Sequence, residues 1–283
     1  MVQIVCTGKG SAMALPKVIQ QVQALAQTLT PKVLYLGTPS YDRDDIFSIQ
    51  TKGFQNANCP IFKLDLSEIS TATAGVDTST RATPSYPTVD EMQERIDDSD
   101  VIMVSGGNTL YAMNRWKHLG MDSILKNAAA KDDGPVFCGG SAGAICWFEK
   151  GNSDSMNPMT FLHPDPNLTE EQKNDWDYIS MNGLGILKGL CVPHYDAKQH
   201  NGSMRFAASE KMVRDMSDYP CIGIDENAAF VVNGDVVRVI EGVKGAKCYK
   251  KLHNSITGEL EVSILGEDIL DGSSYSLSTL GLV

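Results

Sequence analysis

GPVFCGGSAGAICW, residues 134–147, is the stretch that decides the fold. Pro135 to Cys138 is a short apolar run and reads as a fully buried strand. The chain then turns through Gly139-Gly140-Ser141-Ala142-Gly143, and Ala144 to Phe148 is compatible with a helix. Gly139, Ser141 and Gly143 satisfy G-x-S-x-G in the strand–turn–helix setting where that pattern has mechanical meaning. Small residues on both sides allow a sharp turn that lifts the Ser141 hydroxyl out of the sheet. The Ala142 N–H then stands at a helix start, where an oxyanion would form. An ordinary Gly-rich turn, or one that holds a phosphate, uses the same residue types.

Working outward, the same alternation of buried strand and helix recurs. Gln3 to Cys6, Lys32 to Leu36, Ile61 to Leu64, Val101 to Val104, Ile186 to Pro193 and Cys221 to Ile224 read as strands. Between them, Leu15, Val18, Ile19, Val22, Leu25, Ala26 and Leu29 form one apolar face of a helix starting at Ala12, with Pro16 in its first turn. Further helices are expected over 44–54, 110–116, 121–130 and 202–216, and Thr88-Val89-Asp90-Glu91 is a capping box that opens another. This order implies an α/β fold, doubly wound, with a mostly parallel sheet and helices on both faces. Residues 228–233 and 236–241 flank Gly234-Asp235 as a hairpin, and 248–252 and 260–265 add β-like runs. One domain is expected, with a core over about 2–240, insertions at 67–87 and 151–180, and a β-rich extension over 244–283. The polar, Pro-containing 151–177 stretch reads as a long loop that could cover the site.

Composition narrows the function. Lys and Arg number 24 against 35 Asp and Glu, a formal charge of −11, with no dense basic run, which argues against nucleic acid or an anionic membrane as partner. The start MVQIVCTGKG lacks a signal-peptide layout, and no stretch approaches the ~18 apolar residues of a spanning helix. Seven cysteines without a C-x-x-C pair fit buried free thiols, and a cytoplasmic location is expected. His118, His163, His194, His200 and His253 show no metal-ligand spacing with cysteine. Gly8-Lys9-Gly10 after the first strand is a partial dinucleotide fingerprint, but Met13 stands where the third glycine belongs.

Four motifs in order carry a resemblance: Ser105-Gly106-Gly107-Asn108-Thr109, Gly139 to Ala144, Pro193-His194-Tyr195 and Gly223-Ile224-Asp225-Glu226-Asn227-Ala228. Together they resemble the peptidase E and cyanophycinase family of serine peptidases, whose fold is related to class I glutamine amidotransferases. The resemblance implies Ser141 as nucleophile, His194 as general base, Glu226 as the orienting acid, and the Gly107 and Ala142 N–H groups as oxyanion hole. Asp225 and Asp196 remain rival acids. Substrate contacts are expected at Asn108 and Arg205. The family's aspartyl dipeptidases carry a Thr-Arg-Glu-type stretch after the histidine; here Asn201 to Phe206 stands nearby, and Arg205 offers the fork for a carboxylate. The expected activity is hydrolysis of short peptides, notably dipeptides with N-terminal aspartate, by a monomer or homodimer needing no metal or cofactor. Alternatives are an isoaspartyl or cyanophycin-like amide, an ester, or a binding protein that uses the turn for a small anion or nucleotide.

Overall fold

Each short apolar run becomes a strand in the computed structural model, which describes residues 1–68, 86–198, 202–217, 219–266 and 274–283. β1 (Gln3–Thr7), β2 (Val33–Leu36), β3 (Ile61–Lys63), β4 (Val101–Val104) and β5 (Val136–Gly140) pair in parallel in the order β1-β5-β4-β2-β3. Every residue of β2, β4 and β5 is buried, so these strands show continuous apolar character instead of alternation. Successive side chains feed opposite faces: Val5 joins Val33, Tyr35 and Cys138 in one cluster, while Ile4 and Cys6 join Leu34 and Ile102 in another.

Helices cover both faces. α1 (Pro16–Leu25) packs Val18, Ile19, Val22 and Leu25 on the first, beside α2 (Asp44–Gln50) and α3 (Lys52–Asn56). α4 (Val89–Asp97), α5 (Thr109–Leu119) and α6 (Met121–Ala129) bury Met92, Trp116 and Leu125 against the second. The expected capping box opens α4, with Thr88 and Glu91 bonded reciprocally. Two helices differ from expectation. Residues Gly10–Ala14 form a 3-10 turn, and α1 begins at Pro16, whose fixed φ suits a first helical position. It ends at Leu25, which leaves Leu29 exposed. The helix expected over 44–54 is interrupted at Thr51, whose hydroxyl donates back to the Phe47 carbonyl at 2.7 Å, a contact that bends helices.

The second half divides its strands between two sheets. After α7 (Ala142–Ile145) come β6 (Phe148–Ser153), α8 (Glu170–Asn174), β7 (Ile179–Asn182), β8 (Leu187–Val192), α9 (Arg205–Asp215) and β9 (Cys221–Ile224). β10 (Ala228–Asn233), β11 (Val236–Glu241), β12 (Cys248–His253), β13 (Leu260–Leu265), β14 (Tyr275–Ser276) and α10 (Leu277–Leu280) follow. The first sheet runs β14-β11-β10-β1-β5-β4-β2-β3 and the second β13-β12-β9-β8-β6-β7. The α/β class and the parallel core match expectation; the second sheet is what the sequence pattern did not reveal. Its Leu187, Cys191, Ile222 and Ile224 share a core with the first sheet, and α9 covers its other face through Val213.

The 151–177 stretch is therefore not one loop. Its first residues belong to β6, whose polar Asn152 and Ser153 are buried and so carry no hydrophobic signature. The segment after residue 243 is built into both sheets: β12 pairs with β9, and β14 with β11. Most of the expected 67–87 insertion, residues 69–85, lies outside the described residues. All seven cysteines are free and buried. Among the described residues, no helix is long and apolar enough to cross a membrane.

The chain crosses between the sheets at two points that matter for chemistry. It leaves the first sheet at the end of β5, turns at Ser141 and enters the second at β6. It returns between β9 and β10, through Asp225-Glu226-Asn227. His194 follows β8, the neighbour of β9. Strand ends at such a junction form the crevice where open α/β sheets hold ligands.

Candidate active site at the junction of the sheets

The turn around Ser141 needs glycine at three positions. A Cβ on Gly139 would lie 2.6 Å from the Val104 carbonyl oxygen, one on Gly140 2.3 Å from that of Lys9, and one on Gly143 2.2 Å from that of Val104. Backbone thus packs on backbone around the elbow, which explains the small residues of the motif. Ser141 itself has φ 56° and ψ −114°, a conformation that L-residues rarely adopt. Such strain costs on the order of 1–3 kcal/mol and points to a role for the side chain it presents.

That side chain meets an imidazole. Ser141 Oγ lies 3.0 Å from His194 Nε2, and His194 Nδ1 lies 2.9 Å from Glu226 Oε1. His194 also has a left-handed φ of 52°, and its N–H donates to the Gly8 carbonyl at 3.2 Å. The His194 contact, aided by Lys9, holds the Glu226 carboxyl down at about 2 against the opposing effect of burial. The rival acids face elsewhere. Asp225 Oδ2 accepts from the Lys247 N–H at 2.9 Å, and burial pushes its carboxyl up to about 6. Asp196 Oδ1 accepts the Glu226 backbone N–H at 2.8 Å and so supports the acid from behind.

The Ser105–Thr109 turn faces the elbow. A Cβ on Gly106 would stand 3.4 Å from Ser141 Cβ, and the Gly106 N–H is held by buried Gln50 Oε1 at 3.0 Å. Gly107 has φ 141°, and a Cβ there would overlap the Pro39 carbonyl at 2.1 Å. Among the described residues no group of the chain accepts the N–H of Gly107 or Ala142. A cleft of about 290 Å³ opens between Ser141 and His194 on one side and Ile46, Met159, Phe161 and Leu162 on the other. The stretch expected to be a cover thus supplies an apolar wall. It is tied down where Thr160 accepts from Asn108 Nδ2 and from the Tyr41 hydroxyl, at 3.1 and 2.9 Å.

The two residues expected to touch substrate are placed differently. Asn108 is buried; its Oδ1 caps α5 by accepting the Tyr111 N–H, and its Nδ2 donates to Ser155 O and Thr160 Oγ1. Its hydrogen-bonding capacity is used inside the protein. Arg205 is fully buried, donates to the Asn152 carbonyl at 2.6 Å, lies 3.4 Å from Asp154 and stacks over Tyr178. The chain's own Asp154 holds the guanidinium, which does not line the cleft. Among the described residues that line the cleft, Arg43 carries the positive charge; it forms a two-point pair with Asp45 at 3.0 and 2.6 Å. Lys9 is the other residue that sequence reasoning missed: its Nζ lies 3.2 Å from Glu226 Oε2. The flanking Gly8 and Gly10 were the available signal, but they suggested a nucleotide loop.

The model of peptidase family S51 matches residues 4–240. The uncharacterized peptidase YgaJ of Bacillus subtilis (strain 168) is 28% identical over 275 residues, 94% of this chain and 100% of the relative. A solved peptidase from an acI-B1 actinobacterium superposes with a TM-score of 0.63 at 16% identity, covering 98% of this chain and 97% of that one. A candidate peptidase E protein from Listeria monocytogenes EGD-e gives 0.57 at 18% identity, over 85% and 98%. At those identities the two solved structures speak for the shared fold alone.

Proposed function

Since the chain belongs to peptidase family S51, we propose that this serine peptidase uses Ser141 as nucleophile, His194 as general base and Glu226 as the orienting acid. The observation that carries the reading is the single imidazole that spans Ser141 Oγ and Glu226 Oε1, at 3.0 and 2.9 Å. A serine hydroxyl becomes a competent nucleophile when an imidazole takes its proton as the C–O bond forms. His194 Nε2 accepts that proton, Ser141 Oγ adds to the peptide carbonyl, and the oxyanion is met by the Gly107 and Ala142 N–H groups. Donors of this kind contribute about 3–4 kcal/mol each. The imidazolium then gives its proton to the leaving amine, the C–N bond breaks, and an acyl-enzyme remains. Water, deprotonated by the same ring, hydrolyses the ester and returns the proton to Ser141. Glu226, ionised above about pH 2, holds the ring in the required tautomer and balances the imidazolium.

The substrates are short peptides, in keeping with a cleft at the small end of the range for ligand sites. Preference for an N-terminal aspartate falls to Arg43, the cation of the cleft, and not to Arg205. Hydrolysis of Asp-Leu, Leu-Leu and a β-linked aspartyl dipeptide by the wild type, Ser141→Ala and Arg43→Gln tests this. Asp-Leu cleavage abolished by Ser141→Ala and weakened selectively by Arg43→Gln is the expected result. Equal turnover of Asp-Leu and Leu-Leu removes the aspartyl preference.

A further inference from the structure

We propose that Lys9 is a positioning residue of the triad, its ammonium fixing the orientation in which Glu226 presents a carboxylate oxygen to His194; this rests on the triad reading above. The terminal torsion of a glutamate is broad, so one hydrogen bond leaves the carboxylate free to turn. Here two donors grip its two oxygens, His194 Nδ1 on Oε1 at 2.9 Å and Lys9 Nζ on Oε2 at 3.2 Å.

The Lys9 backbone is itself held on three sides. Its N–H donates to the Glu226 carbonyl at 3.1 Å, and its own carbonyl accepts the Thr7 hydroxyl at 2.9 Å. That carbonyl also lies where a Gly140 side chain would begin. The preceding residue, Gly8, accepts the His194 N–H and packs on the carbonyls of Ile224 and Asp225. One short turn therefore touches the elbow, the base and the acid. The Lys9 and Glu226 side chains are 30% and 31% exposed, and ion pairs so open to water add little to stability. The value of this pair lies in the group it grips.

Charge supports the same role. Around Glu226, Asp196 bonds the backbone N–H, the Asp225 carboxyl turns to the Lys247 N–H, and Arg43 stands across the cleft in its pair with Asp45. Lys9 supplies the cation on the carboxylate itself. Removing that cation leaves the Glu226 charge uncompensated beside the ring, which favours the imidazolium and withdraws the base at low pH.

The test is the rate at which a small fluorophosphonate labels Ser141, measured from pH 5 to 9 for the wild type, Lys9→Met, Lys9→Gln and Lys9→Arg, with His194→Gln as control. Labelling is expected to fall about 10-fold at pH 7 in the two neutral variants. Its acid limb moves up by on the order of one pH unit, and Lys9→Arg restores both. A structural role alone would lower the melting temperature of the neutral variants and leave the limb in place. Wild-type rates, or an unmoved limb in both neutral variants, overturn the assignment of Lys9 while the triad stands. A wild type that does not label, or that labels equally in His194→Gln, overturns the triad and Lys9 with it.

Discussion

Gly8→Ala tests the packing behind the triad without touching any of its side chains. An added Cβ would stand 2.1 Å from the Asp225 carbonyl oxygen and 2.6 Å from that of Ile224, whereas ordinary contact begins at 3.4 Å. The turn over residues 7–10 and the Asp225–Glu226 crossing must separate by about 1.3 Å to admit it. Two bonds span that seam, Lys9 N to Glu226 O and Lys9 Nζ to Glu226 Oε2, and the Gly8 carbonyl beside them holds the His194 N–H. Displacements of about 1 Å in a catalytic geometry cost roughly 100-fold in rate, and forcing a methyl into packed backbone costs about 1–3 kcal/mol. The expected outcome is a kcat/KM about 100-fold below wild type, with a melting temperature lower by several degrees. The assay is initial-rate hydrolysis of the preferred dipeptide, with the folded fraction checked by circular dichroism at the assay temperature. Gly258→Ala is the control. Gly258 has φ 72° and no atom within 4 Å of where a methyl group would stand, so alanine there strains the backbone by about 1 kcal/mol and leaves the rate alone. Wild-type activity and stability in Gly8→Ala would refute the tight seam.

Two further predictions concern charge. Glu226→Gln should lower kcat by about 10³- to 10⁴-fold, the scale seen when a triad acid loses its charge and the ring its tautomer. Because the folded-state carboxyl is held near 2, below the ordinary glutamate value, its stabilising contribution is present above that ordinary value and is lost as pH falls toward 2. Thermal melts from pH 6 to 2 should therefore show the wild type losing its advantage over Glu226→Gln across the lower part of that range. Arg205→Met removes the partner of Asp154 and the carbonyl of Asn152, and should cost about 3–5 kcal/mol in urea unfolding. The surviving folded fraction should keep the wild-type ratio of Asp-Leu to Leu-Leu cleavage; a changed ratio would return Arg205 to the substrate.

The elbow was legible because its constraint selects residue type. Gly139, Gly140 and Gly143 stand where backbone crosses backbone, and residue type alone reports that condition. The parallel strands were legible for a similar reason, since burial on both faces writes a continuous apolar run. Choosing among Glu226, Asp225 and Asp196 was another matter. The three carboxylates lie at one junction, and the crossing of the chain between two sheets decides which of them turns to His194. The burial of Arg205 was not legible, because the Asn152 carbonyl that holds it belongs to β6, a strand with polar buried residues and hence no apolar signature. Lys9 and Arg43 reach the site from turns far away in sequence, and no periodicity announces a long-range contact of that kind.

The central claim is that His194 and Glu226 activate Ser141. The most direct measurement is the mass of the peptide bearing Ser141 after brief exposure to a small fluorophosphonate, in the wild type and in His194→Gln. A single phosphonyl group is expected on Ser141 of the wild type and, in the variant, labelling reduced by at least about 10³-fold. Equal labelling of both proteins, or modification at another residue with Ser141 untouched, would contradict it.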